Sequence, residues 1–383
     1  MISAAEFAAY NREVARIGDR AAADVESSVL AWCRSHEDAT VAEKREAAKL
    51  IMEGFVQGYD DVAAEFAAQW YDHRAEQSGA RLEQAVTMTT YGPDSVDAVA
   101  RYQARKLVKG GDAAFAKACG EFARNDAFRS LNETIAANVG RDKDKGARFA
   151  RVPTGLETCT FCLMLASRGA VYHTRKTAGE FKHFHRRCDC KIVPGFEGDK
   201  DAELVEGVRP KELRERYRAI KQIDSMEGLT DSDRQELAER ALRVEVESIA
   251  GKKLGSVKYA KPRGSLEEHE KAGIDYLLLN GFDVETIDED PHAPANLDIS
   301  MNGELWEMKN LTNCASSVSN QVKRARIKWF KLGLSSPSRC VFTNEGNEDG
   351  FDETCAALEK RRRPGEVFLV VSNSGAVRVL SDK

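Results

Sequence analysis

Leu297-Asp298-Ile299-Ser300-Met301-Asn302-Gly303-Glu304-Leu305-Trp306-Glu307-Met308-Lys309 decides how the C-terminal part of this chain folds. Asn302-Gly303 between two alternating segments signals a two-residue hairpin, because the favoured turn needs positive φ at both central residues. Such a turn fixes the register: Met301 faces Glu304, Ser300 faces Leu305, Ile299 faces Trp306 and Asp298 faces Glu307. Side chains alternate along a strand. Leu297, Ile299, Met301, Trp306 and Met308 therefore share an apolar side, while Asp298, Ser300, Glu307 and Lys309 share the other, interrupted by Leu305. Carboxylates opposed on a ladder have Cβ atoms about 5 Å apart and repel. A divalent cation between them turns that repulsion into binding, and hard oxygen ligands suit Mg2+ or Mn2+. Lys309, on the same side as Glu307, is placed to stabilise an attacking hydroxide or charge developing on a phosphate. Glu180-Phe181-Lys182 repeats the Glu-x-Lys pattern with no hairpin and no partner acid, so the triplet alone carries no weight.

Upstream, Ser265 is expected to open a helix, with Glu268 completing a capping box. That helix runs through Ala272, Ile274, Leu277 and Leu278 and stops at Asn280-Gly281. Phe282-Asp283-Val284-Glu285-Thr286-Ile287 alternates and reads as a strand. Downstream, residues 320–331 read as an amphipathic basic helix whose Lys323, Arg324, Arg326 and Lys328 are candidates to meet phosphates, with Arg361-Arg362-Arg363 adding to the patch. Residues 368–371 and 376–380 read as closing strands.

This order of helix, strand, loop, Asp298, hairpin, Glu307-Met308-Lys309 and helix resembles the PD-(D/E)xK nuclease core. The wording from Leu297 to Lys309 is similar to the C-terminal toxin domains of contact-dependent inhibition systems, several of which cleave tRNA. The resemblance runs from Ser265 to the C-terminus, with Asn296-Leu297 standing where the motif usually has a proline before its Asp. It implies metal-dependent phosphodiester hydrolysis, with Asp298 and Glu307 holding Mg2+ or Mn2+. It also implies an acid on the first helix, for which Glu270 is the candidate and Glu267 the reserve, and a polar residue on the flanking helix, Gln321. The implied partners are tRNA or DNA and a cognate immunity protein.

Residues 1–148 read as helices rich in Ala, Glu and Arg, with no proline before Pro93. Leu50, Ile51, Phe55, Val62, Phe66 and Trp70 recur at helical spacing and are expected in a core. Residues 149–197 are turn-rich. They hold Cys159-Thr160-Phe161-Cys162 and, farther on, His185-Arg186-Arg187-Cys188-Asp189-Cys190. Two short-spaced ligand pairs across a loop suit structural zinc. The chosen ligands are Cys159, Cys162, His185 and Cys188, with Cys190 or His183 as substitutes; the alternative is a reduced cysteine cluster packed without metal. Together with Arg168-Gly169, Val171-Tyr172 and the run from His185 to Pro194, these residues resemble the end of phage Mu F-like minor head proteins. That resemblance implies association with the portal and the capsid interior, and some such proteins carry toxin or enzyme domains at their C-terminus. Residues 198–263 read as a charged helical spacer ending in a linker.

The 383 residues suit two or three domains, and 42% hydrophobic residues suffice for real cores. A net charge of −5 gives no global case for nucleic-acid binding, so any basic surface is local. No apolar run is long enough for a membrane span, and the N-terminus lacks the basic and apolar regions of a secretory signal. Nine cysteines, unevenly spread, suit a reducing compartment. The expected architecture is multidomain: a mainly α module over 1–148, a Cys/His-rich irregular segment over 149–197, a spacer over 198–263 and an α/β PD-(D/E)xK-like domain over 264–383. The expected protein is a phage minor head protein bearing a nuclease, found in the virion head interior and the host cytoplasm. The alternative is a structural minor capsid protein whose nuclease-like domain is inactive or only binds nucleic acid.

Overall fold

The computed structural model describes residues 1–154, 160–178, 190–311, 314–334, 338–344 and 350–382, with α8 side chains from Val318 onward. The chain divides into two compact units, Met1–Leu213 and Arg214–Lys383.

The first unit is built on three long helices, α1 (Ala4–Ser35), α2 (Val41–Gln77) and α3 (Pro93–Arg141). Each starts where its sequence permits. Ser3 accepts from the Glu6 N–H, Thr40 and Glu43 form a reciprocal capping box, and Pro93 occupies the first turn of α3. The buried stripe of α1 (Phe7, Tyr10, Val14, Ile17, Ala21, Val25, Val29) follows helical spacing. In α2 the buried face is largely small: Ala48, Ala63, Ala64, Ala67 and Ala68 accompany Met52, Val56, Trp70 and Tyr71. Leu50 and Val62, expected in the core, are exposed instead. Alanine faces let helices approach closely, which leaves the bulky residues beside them pointing outward. Gly120 marks that closeness, since a Cβ there would lie 2.5 Å from the Ala22 carbonyl oxygen. Helix α3 is broken at Gly111, whose φ of 71° and ψ of −172° are open to glycine.

Between α2 and α3 the chain runs extended along α3. Alternate residues of this strap pair with α3 side chains one turn apart. Val86 N–H donates to Asn138 Oδ1, Met88 N–H to Thr134 Oγ1 and Thr90 N–H to Ser130 Oγ. Two extended residues advance about 6.6–6.8 Å and four helical residues about 6 Å, so the two repeats nearly match.

β1 (Arg148–Val152) pairs antiparallel with β2 (Lys191–Gly195), and α4 (Thr160–Ala166) lies between them in sequence. Residues 149–197 are not a separate segment. Phe149, Val152, Leu165, Tyr172 and Ile192 share one core with Phe7, Tyr71, Leu131 and Ile135.

The second unit holds α5 (Pro210–Asp224) from Arg214 onward, α6 (Asp231–Arg243), α7 (Glu268–Leu279), α8 (Cys314–Lys331) and α9 (Phe351–Glu359). Its strands are β3 (Val257–Lys258), β4 (Val284–Thr286), β5 (Ile299–Met301), β6 (Glu304–Leu311), β7 (Arg339–Asn344), β8 (Val367–Val371) and β9 (Val377–Leu380). They form one seven-stranded sheet in chain order. The β3–β4, β6–β7 and β7–β8 pairs are parallel and the rest antiparallel. Both faces are covered, as parallel strands require. Trp306, Met308, Val341 and Leu369 pack on one side with Ile274, Leu277 and Leu278 of α7, while Leu311, Cys340, Phe342 and Phe368 pack on the other with Val322 and Ala325 of α8 and Leu358 of α9.

The expectations for residues 198–265 are corrected by this packing. The spacer is not solvated, since Ala219, Ile223, Leu237, Ala241, Leu254 and Val257 lie in the same core as Leu277 and Met308. The expected linker contributes strand β3. The cap of α7 is Glu267, whose box partner is Glu270, whereas Ser265 Oγ donates to the Pro262 carbonyl. A tight turn at Arg263–Ser265 delays the helix start.

Candidate functional site

The hairpin forms with the register read from the sequence. Ile299 pairs with Trp306, Ser300 with Leu305 and Met301 with Glu304. Asn302 and Gly303 have φ of 52° and 78°, the positive values this turn demands. Beyond Ile299 the ladder changes character. The Asp298 N–H donates to the Trp306 carbonyl, and Asp298 Oδ2 accepts the Met308 N–H at 2.6 Å. Asp298 is thus held by backbone, with Oδ1 turned to the polar side.

Glu307 is fully buried on that side. Its Oε1 receives the Lys309 ammonium and, at 2.6 Å, the Lys328 ammonium from α8. Lys328 Nζ also lies 3.5 Å from Asp298 Oδ1. Lys309 Nζ further donates to the Met308 carbonyl at 3.0 Å. Burial, and then the neighbouring Asp298, push the Glu307 carboxyl above the usual glutamate range, partly offset by the two lysines. Burial tends to lower the Lys328 pKa, but contact with Glu307 and Asp298 outweighs it and leaves the ammonium firmly protonated. Glu307 Oε2 is buried with no hydrogen-bond partner among the described residues. An orphaned carboxylate oxygen beside a second carboxylate is the donor chemistry a hard divalent cation satisfies.

The other expected residues are placed as follows. Gln321 Nε2 donates to the Asn310 carbonyl at 3.2 Å, near the C-terminal end of β6 next to Lys309. Glu270 accepts the Glu267 N–H in the α7 cap. Helix α7 packs on the Met308 side of the sheet, where a Cβ on Gly273 would lie 2.5 Å from Met308 Cε. That is the side opposite Glu307, so Glu270 is not brought to the cluster. Arg326, expected at phosphates, forks onto Glu366 at 2.7 and 2.6 Å and is structural. Arg362 is held by Glu359 and Asp382. Lys328, expected on an outer basic face, is the member of the cluster that sequence reasoning assigned elsewhere. Its seven-residue spacing from Gln321 puts the two on one flank of α8, which is the signal that could have found it.

Of the expected zinc ligands, Cys159, His185 and Cys188 lie outside the described residues, as does His183. Cys162 is buried in α4 with Arg151 Nη2 3.7 Å from its sulfur, and Cys190 is buried just before β2. Among the described residues no group of three or more His, Cys, Asp or Glu side chains is arranged to hold a metal. No helix among them is long and apolar enough to cross a membrane.

Residues 1–220 match the family described as VG15 protein. The match covers more than half of the 383 residues, and the chain belongs to this phage-associated family. No curated protein and no solved structure matches the chain.

Proposed function

We propose that the protein is a phage minor head protein whose C-terminal unit is a divalent-metal-dependent nuclease. The carrying observation is the hairpin cluster, in which a buried glutamate with one oxygen unpartnered among the described residues, a backbone-held aspartate and two lysines converge on the polar side of β6. Asp298 and Glu307 would hold Mg2+ or Mn2+. Such an ion, when bound, polarises a phosphoryl oxygen and supplies a hydroxide near neutral pH. Lys309 keeps a cation at the cluster for charge developing on the phosphate. The Met308 N–H fixes the orientation of Asp298, and Gln321 is anchored to the Asn310 carbonyl, next to Lys309 in β6. The likeness of the hairpin wording to tRNA-cleaving toxin domains favours RNA, tRNA first, with DNA as the alternative.

Membership of a phage-associated family over residues 1–220 supports the head role and phage partners, for which portal or capsid proteins are the proposal, while nucleic acid as a partner rests on the resemblance of the C-terminal hairpin wording. It is also consistent with placement in the virion head and then the host cytoplasm; a cognate immunity protein is proposed from the toxin-domain resemblance alone. The zinc reading on Cys159, Cys162, His185 and Cys188 rests on spacing, and zinc measured per chain before and after Cys188→Ser tests it.

The deciding experiment incubates the full chain with total tRNA, single-stranded DNA and plasmid, in Mg2+ or in EDTA, beside Glu307→Ala. Cleavage that needs both metal and Glu307 is expected and names the substrate class. Folded protein that cuts nothing would overturn the enzyme reading in favour of a structural minor head protein.

A further inference from the structure

We propose that the Lys328 ammonium is a resident counter-ion standing where the divalent cation binds, so that the cation enters only as Lys328 leaves. The inference rests on the metal reading above. Lys328 Nζ is 2.6 Å from Glu307 Oε1 and 3.5 Å from Asp298 Oδ1, bridging the two carboxylates as a shared cation does. Lys309 does not bridge them; it holds Glu307 and the Met308 carbonyl.

The charge count points the same way. Two carboxylates and two ammonium groups sum to zero, which is how a fully buried glutamate is tolerated in the metal-free chain. A dication added with both lysines in place leaves a charge of +2 around a buried oxygen, where repulsion is weakly screened. Release of one ammonium reduces that to +1. Lys328 is the one free to go, since its side chain is 34% exposed and that of Lys309 is 16% exposed. It extends from a helix flank on a flexible stem, so a released ammonium stays at the mouth of the site, placed to meet an incoming phosphate.

The test is Mn2+ binding by calorimetry on the full chain without nucleic acid. Wild type is compared with Lys328→Met, which keeps length and loses charge, Lys328→Arg, which keeps charge, and Glu307→Gln as the non-binding reference. Lys328→Met is expected to bind Mn2+ tighter by about tenfold or more, and Lys328→Arg to stay near wild type. A second measurement on wild type needs no variant: acetylation of Lys328, followed by mass spectrometry, is expected to speed up when Mn2+ is added. Should wild type bind Mn2+ while Lys328→Met binds no tighter and Lys328 acetylation is unchanged, the counter-ion role is wrong and the metal site stands. Should neither wild type nor Lys328→Met bind, the metal reading itself falls and this inference falls with it.

Discussion

Lys328 on α8 reaches Glu307 on β6 at 2.6 Å, so the helix that crosses over between β6 and β7 also supplies a side chain to the hairpin's polar face. The basic residues of that helix therefore do different work, although they look alike in sequence.

Lys309 of β6 and Arg326 of α8 are told apart by kinetics. Lys309→Ala is expected to lower kcat on the cleaved nucleic acid by about 10²-fold or more, with modest change in KM, because its cation acts on charge that develops in the reaction. Arg326→Ala is expected to lower thermal stability, since it removes the charged partner of Glu366 and leaves only the Ser338 hydroxyl and the Arg363 N–H, and to leave kcat of the folded fraction close to wild type. Steady-state kinetics beside a melting curve reads both.

Asp60 gives a pH dependence in the first unit. Asp60 of α2 and Asp126 of α3 are both fully buried, and burial, then the charge of Asp126, push Asp60 up to about 7. The folded chain thus holds this proton more tightly than the unfolded chain. Its ionisation penalises folding as pH rises from the ordinary carboxylate range through 7, and the penalty is complete above that. Each tenfold difference in proton affinity between the folded and unfolded chains is worth about 1.4 kcal/mol. Asp60→Asn is therefore expected to gain at most a few kcal/mol over wild type at alkaline pH, and almost nothing in acid. Melting curves of the pair across pH decide it; a gain independent of pH would refute the assignment.

Thr134 ties down the strap. Its hydroxyl accepts the Met88 N–H and donates to the Met88 carbonyl, both at 2.9 Å. Thr134→Val leaves both backbone groups without that partner and is expected to cost about 1–3 kcal/mol locally. Limited proteolysis should then cut within residues 80–92 sooner than in wild type, with α1–α3 still helical by circular dichroism.

Arg263 and Asp275 form a buried bidentate pair, at 2.7 and 2.8 Å, that ties the turn before α7 to its interior. Arg240 Nε adds a further contact to Asp275 at 2.8 Å. Asp275→Ala removes the fully buried carboxylate of this cluster, leaving Arg263 its contacts to Asp233, Glu236 and Tyr259, and is expected to cost up to about 3–5 kcal/mol. Combining Asp275→Leu with Arg263→Met is expected to cost less than Asp275→Ala alone, read by denaturant unfolding of the full chain.

Residues 297–309 were legible because a two-residue Asn-Gly turn and strict alternation are local rules, and together they fix register and faces with no knowledge of the rest. The capping residues of α1 and α2 follow equally short-range chemistry. Leu50 and Val62 show where local rules stop, because which side of an Ala-rich helix is buried depends on the neighbour that approaches it.

The amino-acid order by itself determined the hairpin, the shared polar side of Asp298 and Glu307, the strand β6 that carries Lys309 and the long N-terminal helices. Only the tertiary structure decided that residues 214–263 belong to the C-terminal core, that Arg326 is spent on Glu366, that Glu270 serves its own helix cap and that Lys328 completes the carboxylate cluster. The physical reason is range. Turn and strand geometry are set within a few residues, whereas burial and ion pairing depend on which element the chain brings alongside, and for α8 that element is the polar face of β6.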